Sequence, residues 1–252
     1  MEMTGNTILV TGGGSGIGRA LAEAIHHLGN KVIITGRRKE VLAEVVAANP
    51  GVTSKTLDIG NPDDIRQFAG WLVREHPDVN VILHSAGIMK HEDLSSAPDS
   101  LATAEETIST NLLGPIRLTA HLLPHLQTRP QATILTVSSG LAFVPLATTP
   151  TYSATKAAIH AYSMSLRHQL KDTGVDVIEI VPPYVRTGLM GDRQANDPAA
   201  MPLEDFVEEV IDILTKEPGA SEIVVERCKP LRYAAENGKV MDIFNNLVSL
   251  NH

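Results

Sequence analysis

The chain has 252 residues, of which 43% are apolar and 20% charged, so it can form one large α/β domain and is not a disordered polypeptide. Its formal net charge of -8 disfavours nucleic acid and anionic membranes as partners, because an acidic surface attracts neither. No apolar run approaches the roughly 18 residues of a membrane span, and the N-terminus lacks the basic region and cleavage pattern of a signal peptide. Cys228 is the only cysteine, and the histidines show no spacing of metal ligands. We therefore expect a cytoplasmic protein without disulfides or metal.

Short apolar segments alternate with segments of helical length along most of the chain. The predicted strands are 7–10, 31–35, 53–57, 81–84, 132–137, 176–181 and 223–225. The predicted helices are 17–28, 39–48, one opened by Asn61 and Pro62, a long one through Asn111, 152–171, 203–216 and 239–250. The strands are near-continuously apolar, as expected when helices cover both faces of a parallel sheet. This pattern predicts an α/β fold with a doubly wound parallel sheet (a Rossmann fold) in a single domain, 1–252. The irregular stretch at about 183–202 is predicted to be a substrate lid.

A glycine-rich turn, Thr11-Gly12-Gly13-Gly14-Ser15-Gly16-Ile17-Gly18, joins the first strand to the first helix. Glycines permit positive φ and let the backbone approach a pyrophosphate, while the helix N-terminus faces the anion. The alternative is a flexible turn without a ligand. The position of the turn between the first strand and a helix favours a dinucleotide site.

The second predicted strand is followed by Gly36-Arg37-Arg38, with no carboxylate until Glu40. A carboxylate at this place accepts a hydrogen bond from the ribose 2′-hydroxyl of NAD, whereas arginine accommodates a 2′-phosphate. The alternative is that both arginines only solvate a loop. Together with the glycine turn, they predict NADP(H) as the cofactor.

Tyr152 and Lys156 are four residues apart on a predicted helix, which places them one turn apart on one face. A tyrosine with its usual pKa of about 10 exchanges protons poorly at neutral pH, and a neighbouring ammonium is expected to lower that pKa. Ser139 follows a strand, where its hydroxyl would point into the crevice at the carboxyl edge of the sheet. A Tyr-x-x-x-Lys pair alone is weak evidence for a catalytic site. Its weight comes from the order of the motifs along the chain: the glycine turn, then the serine, then the tyrosine and the lysine.

With these motifs in this order, the sequence resembles the short-chain dehydrogenase/reductase family from Asn6 to about Thr187. Within the family it is similar to the bacterial DltE-like members. This grouping implies no particular substrate. The matching segments are Thr11 to Gly18 (T-G-x-x-x-G-x-G), Asp58-Ile59 after a strand, Ser85-Ala86-Gly87 in place of Asn-Ala-Gly, Asn111 on a helix, Ser139 at 13 residues before Tyr152, and 182–187 in place of P-G-x-V-x-T.

The resemblance implies a role for each matching residue. Tyr152 would exchange the proton, Lys156 would lower its pKa and bind the nicotinamide ribose, Ser139 would polarise the carbonyl and Asn111 would hold a water of the proton path. The implied cofactor-binding residues are Gly12, Gly14, Ser15, Gly16, Ile17, Gly18, Arg37, Arg38, Asp58, Ile59, Ser85, Ala86, Gly87, Tyr152, Lys156, Pro182, Val185 and Thr187. Tyr184, Leu189 and Met190 are candidate pocket residues.

Two positions depart from the family pattern. Ser85 replaces an asparagine that braces the sheet, and its shorter side chain makes fewer hydrogen bonds. Pro183 replaces a glycine, which removes a backbone N–H and restricts φ. Neither change removes a group that takes part in the chemistry. His84, beside Ser85, is expected to be a packed strand residue rather than a catalytic one.

These features favour an NADP(H)-dependent oxidoreductase acting on a ketone, an aldehyde or a secondary alcohol. The alternatives are a non-catalytic NADP(H) sensor or scaffold of the same fold, and an isomerase or epimerase. We also expect a homodimer or homotetramer that packs through the helices of Asn111 and Tyr152. The second helix has more apolar residues than one inward stripe needs: Ala157, Ala158, Ala161, Met164 and Leu166.

Overall fold

Parallel strands form one sheet in the computed structural model, which describes residues 1–96 and 101–250. The strands are β1 (Thr7–Thr11), β2 (Lys31–Gly36), β3 (Thr53–Thr56), β4 (Val81–His84), β5 (Ala132–Val137), β6 (Val175–Val181) and β7 (Glu222–Val224). Their order is β3-β2-β1-β4-β5-β6-β7, so the direction of winding reverses between β1 and β4. The carboxyl ends of the strands leave a crevice at that reversal, where ligands bind in folds of this type.

Helices cover both faces of the sheet. They are α1 (Gly16–His27), α2 (Lys39–Ala48), α3 (Pro62–Glu75), α4 (Leu101–Ile108), α5 (Gly114–Leu126), α6 (Pro150–Leu170), α7 (Asp192–Ala195), α8 (Leu203–Lys216), α9 (Lys229–Arg232) and α10 (Val240–Leu250). Because side chains alternate along a strand, Ile8 and Val10 join a core with α1, α2 and α8, whereas Leu9 joins a core with α3, α5 and α6. The predicted doubly wound Rossmann fold is confirmed.

The strand β3 differs from the prediction that the strands are near-continuously apolar. Its residues Thr53, Ser54, Lys55 and Thr56 are all exposed. The strand lies at the edge of the sheet and, among the strands of the described residues, pairs with β2 alone. A polar edge with a lysine is a common protection against pairing with other chains, so the prediction of apolar strands is wrong here.

The predicted long helix through Asn111 is not continuous. It consists of α4, a π-helical turn (Ser109–Leu113) and α5. Asn111 is buried within the π-helical turn. Such turns are rare and occur often at functional sites, because the additional residue changes the direction of the side chains that follow.

The C-terminal part contains one helix that joins the core and one that lies at its surface. Phe206, Val210 and Leu214 of α8 are buried, whereas the apolar residues of α10, Val240, Ile243, Phe244 and Leu247, are only half-buried. Among the described residues, no helix combines the length and the apolarity that a membrane span requires.

Candidate active site

The structure brings Ser139, Tyr152 and Lys156 together in the crevice. Ser139 lies beyond the end of β5 and begins a 3₁₀ turn, where its Oγ accepts a hydrogen bond from the Leu141 amide at 3.1 Å. Tyr152 and Lys156 lie in the first two turns of α6, which starts with a proline as many helices do. All three residues are buried, and the Tyr152 hydroxyl is hydrogen-bonded to Ser139. The Lys156 Nζ donates to the Val137 carbonyl at 2.7 Å and lies 5.5 Å from the centre of the tyrosine ring.

Burial dominates the proton affinities of this group. It raises the pKa of Tyr152 to about 12, although the hydrogen bond from Ser139 acts in the opposite direction. Burial also lowers the pKa of Lys156 to about 8, while the charge of Glu179 raises it. The prediction of a lowered tyrosine pKa is therefore wrong for the chain alone, because loss of water outweighs the effect of Ser139. At neutral pH Tyr152 carries its proton and can donate it.

The Asn111 side chain holds the segment that follows β4. Its Oδ1 accepts from the Ile88 amide at 2.8 Å and its Nδ2 donates to the Ile88 carbonyl at 2.8 Å. The same Nδ2 donates to the Thr155 hydroxyl at 3.3 Å, beside Lys156 in the sequence. A Cβ on Gly87 would lie 3.4 Å from the Asn111 Oδ1 and 3.9 Å from the Lys156 Nζ. Asn111 thus ties the segment after β4 to α6, beside Lys156.

The glycine turn approaches its own backbone closely. Gly12 and Gly16 have positive φ, and a Cβ on Gly18 would lie 2.5 Å from the Gly12 carbonyl oxygen. Ser15, which precedes α1, makes no capping hydrogen bond with its side chain, and the first turn of α1 contains no acidic residue. The first N–H groups of this helix are therefore free to bind an anion. These features fit the pyrophosphate of a dinucleotide.

The segment after β4 packs directly against the glycine turn. A Cβ on Gly12 would lie 2.7 Å from the Ala86 Cα. The Thr11 Oγ1 accepts from the amides of Ser85 and Ala86, at 3.2 Å each. Because Thr11 and Asn111 hold this segment through its backbone, it does not depend on the longer asparagine side chain that Ser85 replaces.

The two arginines after β2 have different partners. The Arg38 Nη2 lies 3.4 Å from the Ser15 Oγ of the glycine turn, whereas the Arg37 Nη1 lies 3.6 Å from the Glu106 Oε1 on α4. Glu106 is also paired with Lys90. Arg38 therefore lies at the glycine turn, and the positive charge of Arg37 is partly matched by Glu106.

Asp58 and Ile59 lie just beyond the end of β3, and His84 is the last residue of β4. Asp58 is exposed and accepts from the Gly60 amide at 2.9 Å, and Ile59 is buried. His84 is buried, with its Nε2 2.9 Å from the Thr119 Oγ1, and burial lowers its pKa to about 4. It is neutral at physiological pH.

The segment 183–202, which was predicted to be a substrate lid, is held by a residue that the sequence analysis missed. Gln194, buried on α7, donates from its Nε2 to the Val185 carbonyl at 2.8 Å and to the Thr187 hydroxyl at 3.3 Å. The Thr187 side chain would lie 3.7 Å from a Cβ on Gly16, so it faces the glycine turn. Pro182 is buried and Pro183 is half-buried. Of the candidate pocket residues, Tyr184 and Leu189 are exposed and Met190 is half-buried. No motif marks Gln194, because its role depends on the path of the lid.

The sequence profile described as short chain dehydrogenase matches residues 6–198. The chain belongs to this family. It is 42% identical over 237 residues to the protein described as the uncharacterized oxidoreductase DltE of Bacillus subtilis (strain 168), and the match covers 93% of each chain. The chain is therefore an oxidoreductase of the short-chain dehydrogenase family.

Solved structures of the family are similar to it. A short-chain dehydrogenase from Burkholderia cenocepacia J2315, in complex with NADP, has a TM-score of 0.80 and 25% identity, covering 98% of this chain and 99% of that one. A short-chain dehydrogenase/reductase from Burkholderia phymatum, in complex with NAD, has a TM-score of 0.80 and 19% identity, covering 96% of each chain. The two complexes contain different dinucleotides.

Proposed function

We propose that this chain is a cytoplasmic NADP(H)-dependent oxidoreductase that interconverts a ketone or aldehyde and the corresponding alcohol. The observation that carries the proposal is the buried group of Ser139, Tyr152 and Lys156 beside the glycine turn. NADP(H) would supply or accept the hydride, and the glycine turn, Arg38 and the segment 182–187 would hold it. The chain itself would bind the carbonyl compound and exchange the proton.

The proton step follows from the state of Tyr152. Its pKa of about 12 keeps the hydroxyl protonated, so it can donate to the substrate oxygen during reduction. Ser139, hydrogen-bonded to the same hydroxyl, would donate to that oxygen and polarise the carbonyl. In the oxidation direction Tyr152 must first lose its proton, and the Lys156 ammonium would favour the phenolate. Oxidation is therefore expected to be favoured by alkaline pH.

The preference for NADP(H) is supported by Arg38. Its contact with Ser15 places a guanidinium at the turn that would bind the phosphates. Arg37 is close by in the sequence, and no carboxylate takes the position that binds an unmodified ribose.

The experiment is the variant Tyr152→Phe, assayed by NADPH absorbance with a panel of carbonyl compounds. A general acid contributes about 10²–10⁴-fold in rate, so kcat should fall by about that range while NADPH still binds. Tyr162→Phe is the matched control, because Tyr162 lies on the same helix and its hydroxyl bonds Thr119 instead of Ser139. Unchanged turnover in Tyr152→Phe would refute the assignment. NADPH binding without turnover of any compound by the unaltered chain would favour the sensor.

We also propose that the chain forms a homodimer or homotetramer through α6. Ala157 and Ala161 are exposed, and Met164 is 53% exposed, one to two turns apart on one face. Leu166, expected to belong to this surface, is instead buried in the core. Small residues let two helices approach closely. Light scattering should show a species larger than 27.1 kDa that Ala161→Arg dissociates. A monomer of the unaltered chain at micromolar concentration would contradict this.

A further inference from the structure

A buried carboxylate lies behind the catalytic group. On the side that faces α6, β6 presents Val175, Val177 and Glu179, two apolar residues and one acid. Glu179 is fully buried, and its Oε2 lies 2.8 Å from the His160 Nδ1. Its Oε1 has no hydrogen-bond partner among the described residues. Burying a carboxylate is costly unless nearby groups compensate its charge, so its surroundings need an explanation.

The fold places Glu179 close to Lys156. Lys156 and His160 are one turn apart on α6, a separation of about 5–6 Å between the Cβ atoms. The Lys156 Nζ bonds the carbonyl of Val137, and Val137 follows the residue of β5 that pairs with Glu179. Lys156 and His160 of α6 therefore contact adjacent places in the sheet, Val137 on β5 and Glu179 on β6.

The other charged groups of this cluster have their own partners. Arg232 of α9 donates to both oxygens of Glu222 on β7, at 2.6 and 3.2 Å, and also binds Glu236. Arg167 of α6 donates to the carbonyls of Val177 and Ser221. The ligand atoms of His160, Glu179 and Glu222 lie within 4.8 Å of one another, a spacing that a metal could use. The guanidinium of Arg232 already supplies a positive charge at Glu222, whereas no lysine or arginine among the described residues bonds the Glu179 carboxylate.

We propose that Glu179 is a positioning residue whose buried carboxylate, oriented by His160, is the counter-charge of the Lys156 ammonium. The inference rests on the proposed function only in giving Lys156 a catalytic role, since Glu179 itself does not touch the substrate. The charge of Glu179 raises the pKa of Lys156 against the effect of burial, which brings it to about 8. Without that charge, the pKa of Lys156 would fall further below its usual value, and a larger fraction of the chains would leave the tyrosine without its cationic neighbour.

The test measures the protonation of Lys156 directly. Protein labelled with ¹³C-lysine is titrated by NMR, and the Lys156 Cε signal is assigned as the one missing in Lys156→Arg. In Glu179→Gln, which keeps the size and the hydrogen bond to His160, the Lys156 midpoint should fall by about 1–2 pH units. Glu222→Gln is the control, because it removes a carboxylate whose charge Arg232 matches. An unchanged midpoint in Glu179→Gln, or an equal shift in Glu222→Gln, would overturn the proposal.

A second pair of variants covers the case in which Glu179→Gln does not fold. His160→Gln retains an N–H donor for the carboxylate and should leave the Lys156 midpoint near its original value, whereas His160→Leu should lower it. Equal midpoints in these two variants would contradict the role of His160.

The titration needs no turnover, so it tests the role of Glu179 separately from the proposed function. A shift in a chain that reduces no carbonyl would refute the proposed function alone, and an unshifted lysine in an active reductase would refute the counter-charge alone.

Discussion

Cofactor discrimination can be tested at Arg38, because the structure separates it from its neighbour Arg37. Arg38 contacts Ser15 of the glycine turn, and Arg37 is directed to Glu106. We expect Arg38→Ala to weaken NADPH binding much more than NADH binding. Arg37→Ala is the matched control, since it removes the same type of side chain one residue earlier.

The magnitude follows from the exposure of Arg38. A charge-assisted hydrogen bond contributes about 1.5–3 kcal/mol, and an exposed guanidinium is expected at the lower end because water and salt screen it. A loss of about 1.5 kcal/mol corresponds to roughly a tenfold weaker affinity for NADPH. NADH has no 2′-phosphate, so its affinity should change by about twofold or less. Arg37→Ala should cost NADPH less than Arg38→Ala, because Glu106 already matches part of the Arg37 charge.

Isothermal titration calorimetry of both cofactors with both variants measures these differences. The titrations are repeated at about 1 M salt, where the Debye length is about 3 Å and the contribution of an exposed charge should largely disappear. An equal loss of NADPH and NADH affinity in Arg38→Ala would mean that Arg38 only supports the turn. If Arg37→Ala lost more NADPH affinity relative to NADH affinity than Arg38→Ala does, Arg37 would be the residue that binds the 2′-phosphate, and the assignment to Arg38 would be refuted.

Two further predictions concern the turn and the core. Gly18→Ala should abolish NADPH binding in calorimetry, because its Cβ would lie 2.5 Å from the Gly12 carbonyl oxygen; normal affinity would contradict this reason. Gly70→Ala, at a position of α3 with open space around it, should instead raise the free energy of unfolding by about 0.5–1 kcal/mol. Burial lowers the pKa of His84 from 6.5 to about 4 in the folded chain. The neutral, buried His84 therefore contributes fully to stability above pH 6.5, and this contribution is lost as the pH falls from 6.5 towards about 4, because only the unfolded chain takes up the proton readily. The free energy of unfolding should decrease by about 3 kcal/mol over that interval, and urea titrations of His84→Gln should lack this decrease; the same slope in both proteins would exclude His84 as its source.

The elements of the fold that could be predicted are those whose burial requires a recognisable pattern of residues in the sequence. β1, β4 and β5 are buried along their whole length, so each requires a predominantly apolar run that is visible in the sequence. β6 is buried except at Asp176, and its apolar run is interrupted by Glu179. β3 lacks that requirement because it lies at the edge. The π-helical turn at Asn111 was missed because one additional residue hardly disturbs the apolar periodicity of a helix.

The sequence predicted that Ser139, Tyr152 and Lys156 come together, but it predicted the shift of the Tyr152 pKa in the wrong direction. Ser139, Tyr152 and Lys156 meet because they lie at a strand end and at the start of the next helix, an order that the sequence displays. The direction in which the Tyr152 pKa shifts depends on how far burial outweighs the effect of Ser139, which requires coordinates. The pair His160 and Glu179 is 19 residues apart and belongs to no motif, so only the packing of α6 on β6 reveals it.

The polar edge strand β3 limits how copies of the chain can meet. Lys55 lies with its ammonium 5.0 Å from the centre of the Trp71 ring, within a strand whose side chains all face solvent. A further strand added at this edge would have to desolvate that charge, and apolar side chains would gain little there. Growth of the sheet from one molecule into the next is thus opposed at β3. Association through the helical surface of α6, as proposed above, would instead favour closed assemblies of defined size over open-ended fibres.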